Sequence, residues 1–134
     1  MADACADIID ELRADPTVRN LVAARLFAGK VAAGTVTPLV WMQRRGVEMA
    51  GTTDPDEEPL KEFLNVECVS DDPSQAVELS AAVRAALDGR SGMLGYSEYS
   101  FVIVTDMREG YVPRNMDADE FLHVSSLDVE VTRP

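Results

Sequence analysis

The sequence is poor in the residues with which proteins bind zinc or nucleic acid. Among 134 residues there are one histidine, two cysteines and 12 basic side chains, against 24 acidic ones. A zinc site needs several histidine or cysteine ligands, and duplex binding needs a positive surface that neutralises phosphates. The formal net charge of −12 would also repel anionic membrane surfaces. We therefore expect no zinc site, no membrane contact and no sequence-specific DNA binding.

Long apolar runs are also missing. No stretch approaches the ~20 apolar residues that cross a bilayer. Residues 1–15, MADACADIIDELRAD, carry acids where a secretion signal has a basic segment. We expect a protein made in the cytoplasm, with Cys5 and Cys68 reduced. The chain is 46% hydrophobic and 27% charged, a globular composition, and its length predicts one domain over residues 1–134.

Capping residues and apolar spacing predict three helical segments. Asp3 is the expected N-cap of a first helix, and Asp15 followed by proline that of a short second one. Asp72, followed by proline and by Gln75 at the capping-box position, predicts a longer third helix. Gly89 supplies the stop signal of this third helix, which is the best specified element of the chain.

Apolar periodicity predicts four strands, and their order suggests the fold. The strands are expected at Leu39–Met49, Lys61–Ser70, Tyr99–Arg108 and Phe121–Thr132, separated by an irregular connector at Leu26–Thr37 and exposed loops at Ala50–Pro59 and Glu109–Glu120. The third strand is apolar on both faces, which favours a place inside the sheet. This order predicts an α+β fold: a single four-stranded, mostly antiparallel sheet with two main helices packed on one face.

A search for catalytic and cofactor-binding residues assigns none. His123 is in phase with apolar residues of the last strand, which is typical of a packing residue, and no activating feature accompanies Cys68. The acids of residues 54–58 lack the glycine and closing glutamate of a calcium loop. The glycines of residues 89–95 follow a helix and lead into a strand, the reverse of a phosphate-binding loop. We expect no catalytic residues, no cofactor and no metal.

Three segments, taken in order, resemble a family of phage proteins. RLFAGKVAAGTVTPLVWMQRRG (residues 25–46) is similar to a signature of arginine, apolar residues, connector, proline and apolar strand. That signature is found in the tail-completion (tail-to-head joining) proteins of long-tailed bacteriophages. SQAVELSAAVRAALDG (74–89) and FLHVSSLDVEV (121–131) are similar to the second helix and the final strand of the family. The likeness spans nearly the whole chain and depends on order and spacing.

The resemblance implies a structural protein of a phage or prophage rather than an enzyme. It implies a small sheet flanked by helices, shared in outline with tail-terminator proteins, and assembly as a ring, typically a hexamer. Such a ring completes the tail and joins it to the head connector. The implied partners are further copies of the chain, the tail tube and the head-connector proteins, and the implied location is the virion. DNA would pass through the ring without being specifically bound, which fits an acidic protein.

Three exposed segments are candidate contacts between subunits of such a ring. A ring joins unlike patches, and the basic pair Arg44 and Arg45 complements an acidic loop. The alternative for the arginines is that one is solvated and the other pairs with an acid of its own chain. The predicted loop after residue 108 adds two apolar side chains. The candidate interface residues are Arg44, Arg45, Asp54, Asp56, Glu57, Glu58, Tyr111 and Met116.

Two other functions stay open on the sequence alone. The first is a small acidic adaptor or regulator that acts as a monomer or dimer through a specific protein partner. The second is a cysteine-dependent enzyme that uses Cys68 as nucleophile and His123 as base.

Overall fold

The computed structural model of the protein describes residues 4–29, 31, 35–49, 51, 59–113 and 121–134. Within these residues it has three helices and seven strands. The helices are α1 (Ala4–Ala14), α2 (Pro16–Val22) and α3 (Pro73–Leu87), and the strands are β1 (Leu26–Ala28), β2 (Leu39–Glu48), β3 (Lys61–Ser70), β4 (Gly92–Leu94), β5 (Ser97–Tyr99), β6 (Phe101–Pro113) and β7 (Phe121–Thr132).

The predicted single four-stranded sheet with two main helices is wrong. The main sheet has five strands in the order β1-β2-β3-β7-β6, and β4 and β5 form a separate two-stranded hairpin. The sheet is mixed, because β1 pairs with β2 in parallel while the other neighbours are antiparallel. β1 lies in the segment that the sequence predicted to be an irregular connector. Three residues are too few to show a period of two, so only pairing with β2 reveals the strand.

The helices cover one face of the sheet and enclose the core there. α3 packs on β3 and β7, while α1 packs on β1 and β2. The strands alternate, so every second residue points toward the helices, and most of these residues in the middle of the sheet are buried. The buried residues on this face include Val40 and Met42 from β2, Leu64, Val66 and Cys68 from β3, and Leu127, Val129 and Val131 from β7.

β6 departs from its predicted place and its predicted length. It forms an edge of the sheet rather than an interior strand. Its apolar residues Phe101 and Ile103, on the face away from the helices, are correspondingly exposed. The strand also continues to Pro113, into the predicted loop, and Tyr111 pairs with His123 of β7. Met116 of that loop lies outside the described residues.

Two of the predicted helix caps are confirmed, and Asp3 lies outside the described residues. The Asp15 carboxylate accepts hydrogen bonds from two backbone N–H groups of α2, and Asp72 accepts one from Ser74 N at 3.0 Å. The capping box at α3 includes an extra residue. Ser70 Oγ accepts from Asp72 N at 3.1 Å and donates to Gln75 Oε1 at 2.6 Å, so Ser70 connects the two box positions.

The Asp72 cap yields the first testable prediction. Asp72→Ala should lower the free energy of unfolding by about 1 kcal/mol, because a backbone N–H group at the start of α3 loses its acceptor. Urea denaturation measures this loss. Glu78→Ala is the matched control, since it removes one exposed acid from the same helix without touching a cap. Equal stabilities of the two variants would show that the cap contributes nothing.

Candidate interaction site: the face of the sheet away from the helices

The face of the sheet away from the helices contains an apolar trough. Its walls and floor are side chains from four neighbouring strands, and its volume is about 630 Å³. This volume is in the usual range of ligand pockets, ~300–1,000 Å³. We define the trough by its apolar residues, which are Leu39 and Trp41 from β2, Val69 from β3, Leu122 and Val124 from β7, and Val112 from β6.

Strand register explains the shape of the trough. Leu39, Val69 and Val124 lie side by side on consecutive strands, and the fourth position of this row, on β6, is Gly110. A Cβ placed on Gly110 would meet no other atom within 4 Å, so the missing side chain leaves open space at that end of the row. This row therefore has side chains on three strands and none on the fourth, so the trough is open on the side of β6.

An ionic cluster adjoins the trough further along the same face. Arg108 Nη1 lies 2.7 Å from both Asp106 Oδ2 and Asp128 Oδ2, and Arg45 Nη1 lies 3.4 Å from Asp128 Oδ1. Asn65 Nδ2 donates to the same Asp128 oxygen at 3.4 Å. The hydrogen bond from Arg108 holds the pKa of Asp128 below its usual value. Asp128 is thus an ionised centre that orders three side chains around it.

Glu67 is the acid that lies within the trough itself. It forms the next row with Trp41, Ser126 and Arg108. Partial burial raises the pKa of Glu67, and the nearby positive charge of Arg108 lowers it by less. Among the described residues, no hydrogen-bond donor reaches the Glu67 carboxylate. This acid is therefore half-buried at a cost in solvation.

Glu67 and Asp128 should shift stability in opposite directions with pH. The raised pKa of Glu67 means that its contribution is fully present below the ordinary value of 4.5 and is lost as pH rises through the folded-state value. The lowered pKa of Asp128 means that its contribution is present above the ordinary value of 3.8 and is lost as pH falls. Glu67→Gln should therefore raise the Tm at neutral pH, and Asp128→Asn should lower it.

Thermal unfolding of both variants and the wild type, followed from neutral to acid pH, checks this prediction. Both differences from the wild type should shrink toward acid pH, where the two carboxyls are protonated in folded and unfolded chains alike. A Glu67→Gln variant less stable than the wild type at neutral pH would contradict the prediction.

The structure places the predicted interface residues in different surroundings. Arg44 pairs with the buried Glu62 at 3.0 Å, and Arg45 belongs to the ionic cluster. Tyr111 lies at the rim of the trough and is mostly exposed. Asp54, Asp56, Glu57, Glu58 and Met116 lie outside the described residues. The subunit contact proposed for these residues stays a prediction.

Cys68 and His123 lie near each other on the helix-covered face. In the β3–β7 ladder Cys68 pairs with Ser125, and two residues further along Ser70 pairs with His123. Burial raises the pKa of the Cys68 thiol far above its ordinary value, so the nucleophilic thiolate is disfavoured. Within the described residues no hydrogen bond joins the two side chains. Burial of this kind is typical of a cysteine that serves as a small core residue.

Sequence reasoning missed a buried polar network beneath the helices. Glu62, only 1% exposed, binds Arg133 at 3.0 Å as well as Arg44, and it accepts from Ala4 N at 3.3 Å. The Arg133 guanidinium lies 5.1 Å from the centre of the Tyr99 ring. Tyr99 in turn donates to Asp7 Oδ2 at 2.5 Å. One signal was available: Glu62 is in phase with Leu64 and Val66, the core-facing residues of β3.

The described residues show neither a metal-binding cluster nor a membrane-spanning helix. No group of three or more histidine, cysteine, aspartate or glutamate side chains there is arranged to hold a metal ion. None of the described helices is long and apolar enough to span a membrane.

Comparison with known proteins identifies the class. The profile of the family described as tail completion protein gp17 matches residues 6–102. The chain belongs to this family of phage tail completion proteins, and the family prediction made from the sequence is confirmed. The matched residues include most of α1, all of α2 and α3 and the strands β1 to β5, and they end two residues into β6. No curated protein sequence matches the chain.

Two solved structures are similar to the fold. A chain from the virion of a native gene transfer agent (GTA) particle is 18% identical, with a TM-score of 0.65. The alignment covers 96% of this chain and 92% of that chain, so the two share a fold along nearly their whole lengths. A second solved chain is 19% identical over 100% of this chain and 98% of its own, with a TM-score of 0.47, too low to establish a common fold.

Proposed function

We propose that the protein is a structural component of a phage or prophage virion that completes the tail and joins it to the head connector as a ring of identical subunits. It is synthesised in the host cytoplasm and acts without catalysis. The observation that carries this proposal is the match of the tail completion family to residues 6–102. The fold shared with a chain of the gene transfer agent virion supports it.

The surface of the chain fits a protein that assembles with copies of itself. A ring needs two unlike patches that complement each other. The face of the sheet away from the helices offers an apolar trough beside an ionic cluster, a combination of apolar centre and polar surround that is typical of interfaces. The net charge of −12 favours a lumen that DNA passes without being bound, because like charges repel phosphates.

Arg45 and Tyr111 are the described residues best suited to test the predicted subunit contacts. The Arg45 side chain is more than half exposed, and Tyr111 is mostly exposed. Charge reversal at Arg44 would instead disturb the ion pair with buried Glu62. A loss of assembly in that variant could therefore come either from a damaged fold or from a lost subunit contact. We propose that the loop of Asp54, Asp56, Glu57 and Glu58, together with Met116, contacts the neighbouring subunit or the tail tube.

Light scattering on the purified protein tests the ring. Across a concentration series at low and moderate salt, we expect the mass to rise from 14.6 kDa to a fixed multiple, sixfold for a hexamer. Arg45→Glu with Tyr111→Ala should lower the mass while leaving the circular dichroism spectrum unchanged. A chain that stays monomeric alone and also fails to bind isolated tails would contradict the proposal and favour an adaptor with another partner.

A further inference from the structure

The β4–β5 hairpin exposes two large apolar side chains to solvent. Tyr96, in its turn, is 90% exposed, and Met93 is 61% exposed. Glu98, which pairs with Met93 across the hairpin, is exposed on the same side. Leu94 and Tyr99 point the other way and are buried in the core. We call Met93, Tyr96 and Glu98 the hairpin tip.

The backbone of the β4–β5 hairpin is held against α1 by hydrogen bonds to the buried acid Asp7. Asp7 Oδ1 accepts a hydrogen bond from Tyr96 N at 3.0 Å, and Asp7 Oδ2 accepts from the Tyr99 hydroxyl at 2.5 Å. A Cβ on Gly95 would lie 2.6 Å from Asp7 Oδ1, so α1 and the turn are in direct contact. Because the backbone at Tyr96 is already fixed, binding through this side chain would order little main chain, which favours its use as an interface anchor.

The hairpin tip and the trough lie at opposite ends and on opposite sides of the sheet. The hairpin packs against α1 on the helix side and leads into the start of β6. The trough is on the other face and includes Val112, near the end of β6. About ten residues of strand separate the two, or roughly 33 Å at ~3.3 Å per residue. Within one chain the tip and the trough therefore cannot meet.

We propose that the hairpin tip of one subunit docks into the trough of the next, so that these two surfaces form the contact that closes the ring. Tyr96 inserts into the space left open by Gly110, beside Val124. Its hydroxyl donates a hydrogen bond to the Glu67 carboxylate. The inference rests on the proposed ring and identifies the surfaces that form it.

Complementary chemistry favours a second copy of the chain over another occupant. The lining of the trough is mostly apolar and includes Glu67, a half-buried acid whose carboxylate accepts none of the side-chain hydrogen bonds found among the described residues. The tip supplies an aromatic ring with one donor at its end. Because the two patches differ and lie far apart, each subunit uses one of each, as a closed ring requires.

Cysteine cross-linking tests the contact directly. A chain with Met93→Cys, which keeps the Tyr96 anchor, is mixed with a chain carrying Val112→Cys and oxidised with diamide. The control partner carries Val77→Cys, on α3 outside the trough, where the native side chain is 44% exposed against 46% for Val112. Cys5 and Cys68 are buried and stay in all variants. Docking predicts disulfide-linked heterodimers on the order of tenfold faster with Val112→Cys than with the control, because it raises the effective concentration of the two thiols.

A mixing experiment adds a second readout. Tyr96→Asp lacks the tip anchor and keeps the trough, while Val112→Asp keeps the tip and has a charged trough. Each variant alone should be monomeric by light scattering, and an equal mixture should stop at heterodimers, since only one intact contact can form. Both positions are exposed at the surface, and circular dichroism confirms that each variant folds.

The outcomes separate this inference from the proposed function. Equal cross-linking with Val112→Cys and Val77→Cys overturns the docking, and a wild-type ring in the same experiment would leave the proposed function in place. Preferential cross-linking with Val112→Cys in a chain that is otherwise monomeric supports the docking. It contradicts only the expectation that the isolated protein closes into a ring when no tail is present. A Tyr96→Asp variant that still forms complete rings also overturns the docking.

Discussion

Glu62→Ala should lower the free energy of unfolding by about 3–5 kcal/mol, the usual loss when one partner of a buried ion pair is removed. Glu62 is 1% exposed and binds both Arg44 and Arg133, the second of which is only 9% exposed. Without the carboxylate, the buried Arg133 and the partly buried Arg44 would each lose an ion-pair partner. Urea denaturation followed by the fluorescence of Trp41 measures the loss.

Glu48→Ala is the matched control for this prediction. Glu48 is also a strand glutamate, at the end of β2, but it is exposed. Its loss should change stability by no more than about 0.5 kcal/mol, as for most surface substitutions. If the two variants were equally stable, the network around Glu62 would contribute nothing to the fold. A Glu62→Leu, Arg133→Met double variant should recover part of the loss, because an apolar pair leaves no buried charge.

Gly95→Ala should destabilise the protein by about 3–5 kcal/mol, from two added effects. The backbone of Gly95 has a φ of +60°, where a Cβ costs about 1–2 kcal/mol. The new Cβ would also lie 2.7 Å from the Cα of Asp7, too close for either backbone to stay in place. Moving Asp7 would weaken two charge-assisted hydrogen bonds, worth about 1.5–3 kcal/mol each.

Gly89→Ala separates the two effects. Gly89 has a similar φ of +79°, but a Cβ there meets no atom within 4 Å. It should therefore cost only the backbone strain, about 1–2 kcal/mol. The difference between the two variants, measured by urea denaturation, reports the close approach of the hairpin to α1. Equal losses would contradict the contact with Asp7.

Local signals in the sequence predicted most of the helices and strands. α3 was predicted from Asp72, its proline, Gln75 and Gly89, because a cap, a first-turn proline and a stop glycine act within a few residues of chain. β3 and β7 were predicted from alternation, since one of their faces is buried along most of its length. Order and spacing of these elements were also enough to predict the family.

The failures concern elements whose stability comes from distant residues. β1 has only three residues, and it forms because the chain around it pairs with β2. Gly29 N donates a hydrogen bond to Met42 O, and Val40 N donates one to Arg25 O. β6 is apolar on both faces like an interior strand, yet it is the edge of the sheet. Neither the short strand nor the edge position has a local signature, because sheet order is decided by which segments pair.

The candidate site shows the same division. Trp41, Val69 and Val124 could each be recognised as strand residues, but the trough exists only because four strands align them in neighbouring rows. The link from Glu62 to Arg133 spans 71 positions of sequence, and that from Asp7 to Tyr99 spans 92. By itself the sequence determined the helices, most strands, the acidic charge and the family, because these depend on composition and short-range pattern. Sheet order, the trough and the buried network were decided by the tertiary structure, because pairing and burial join residues that are far apart in the chain.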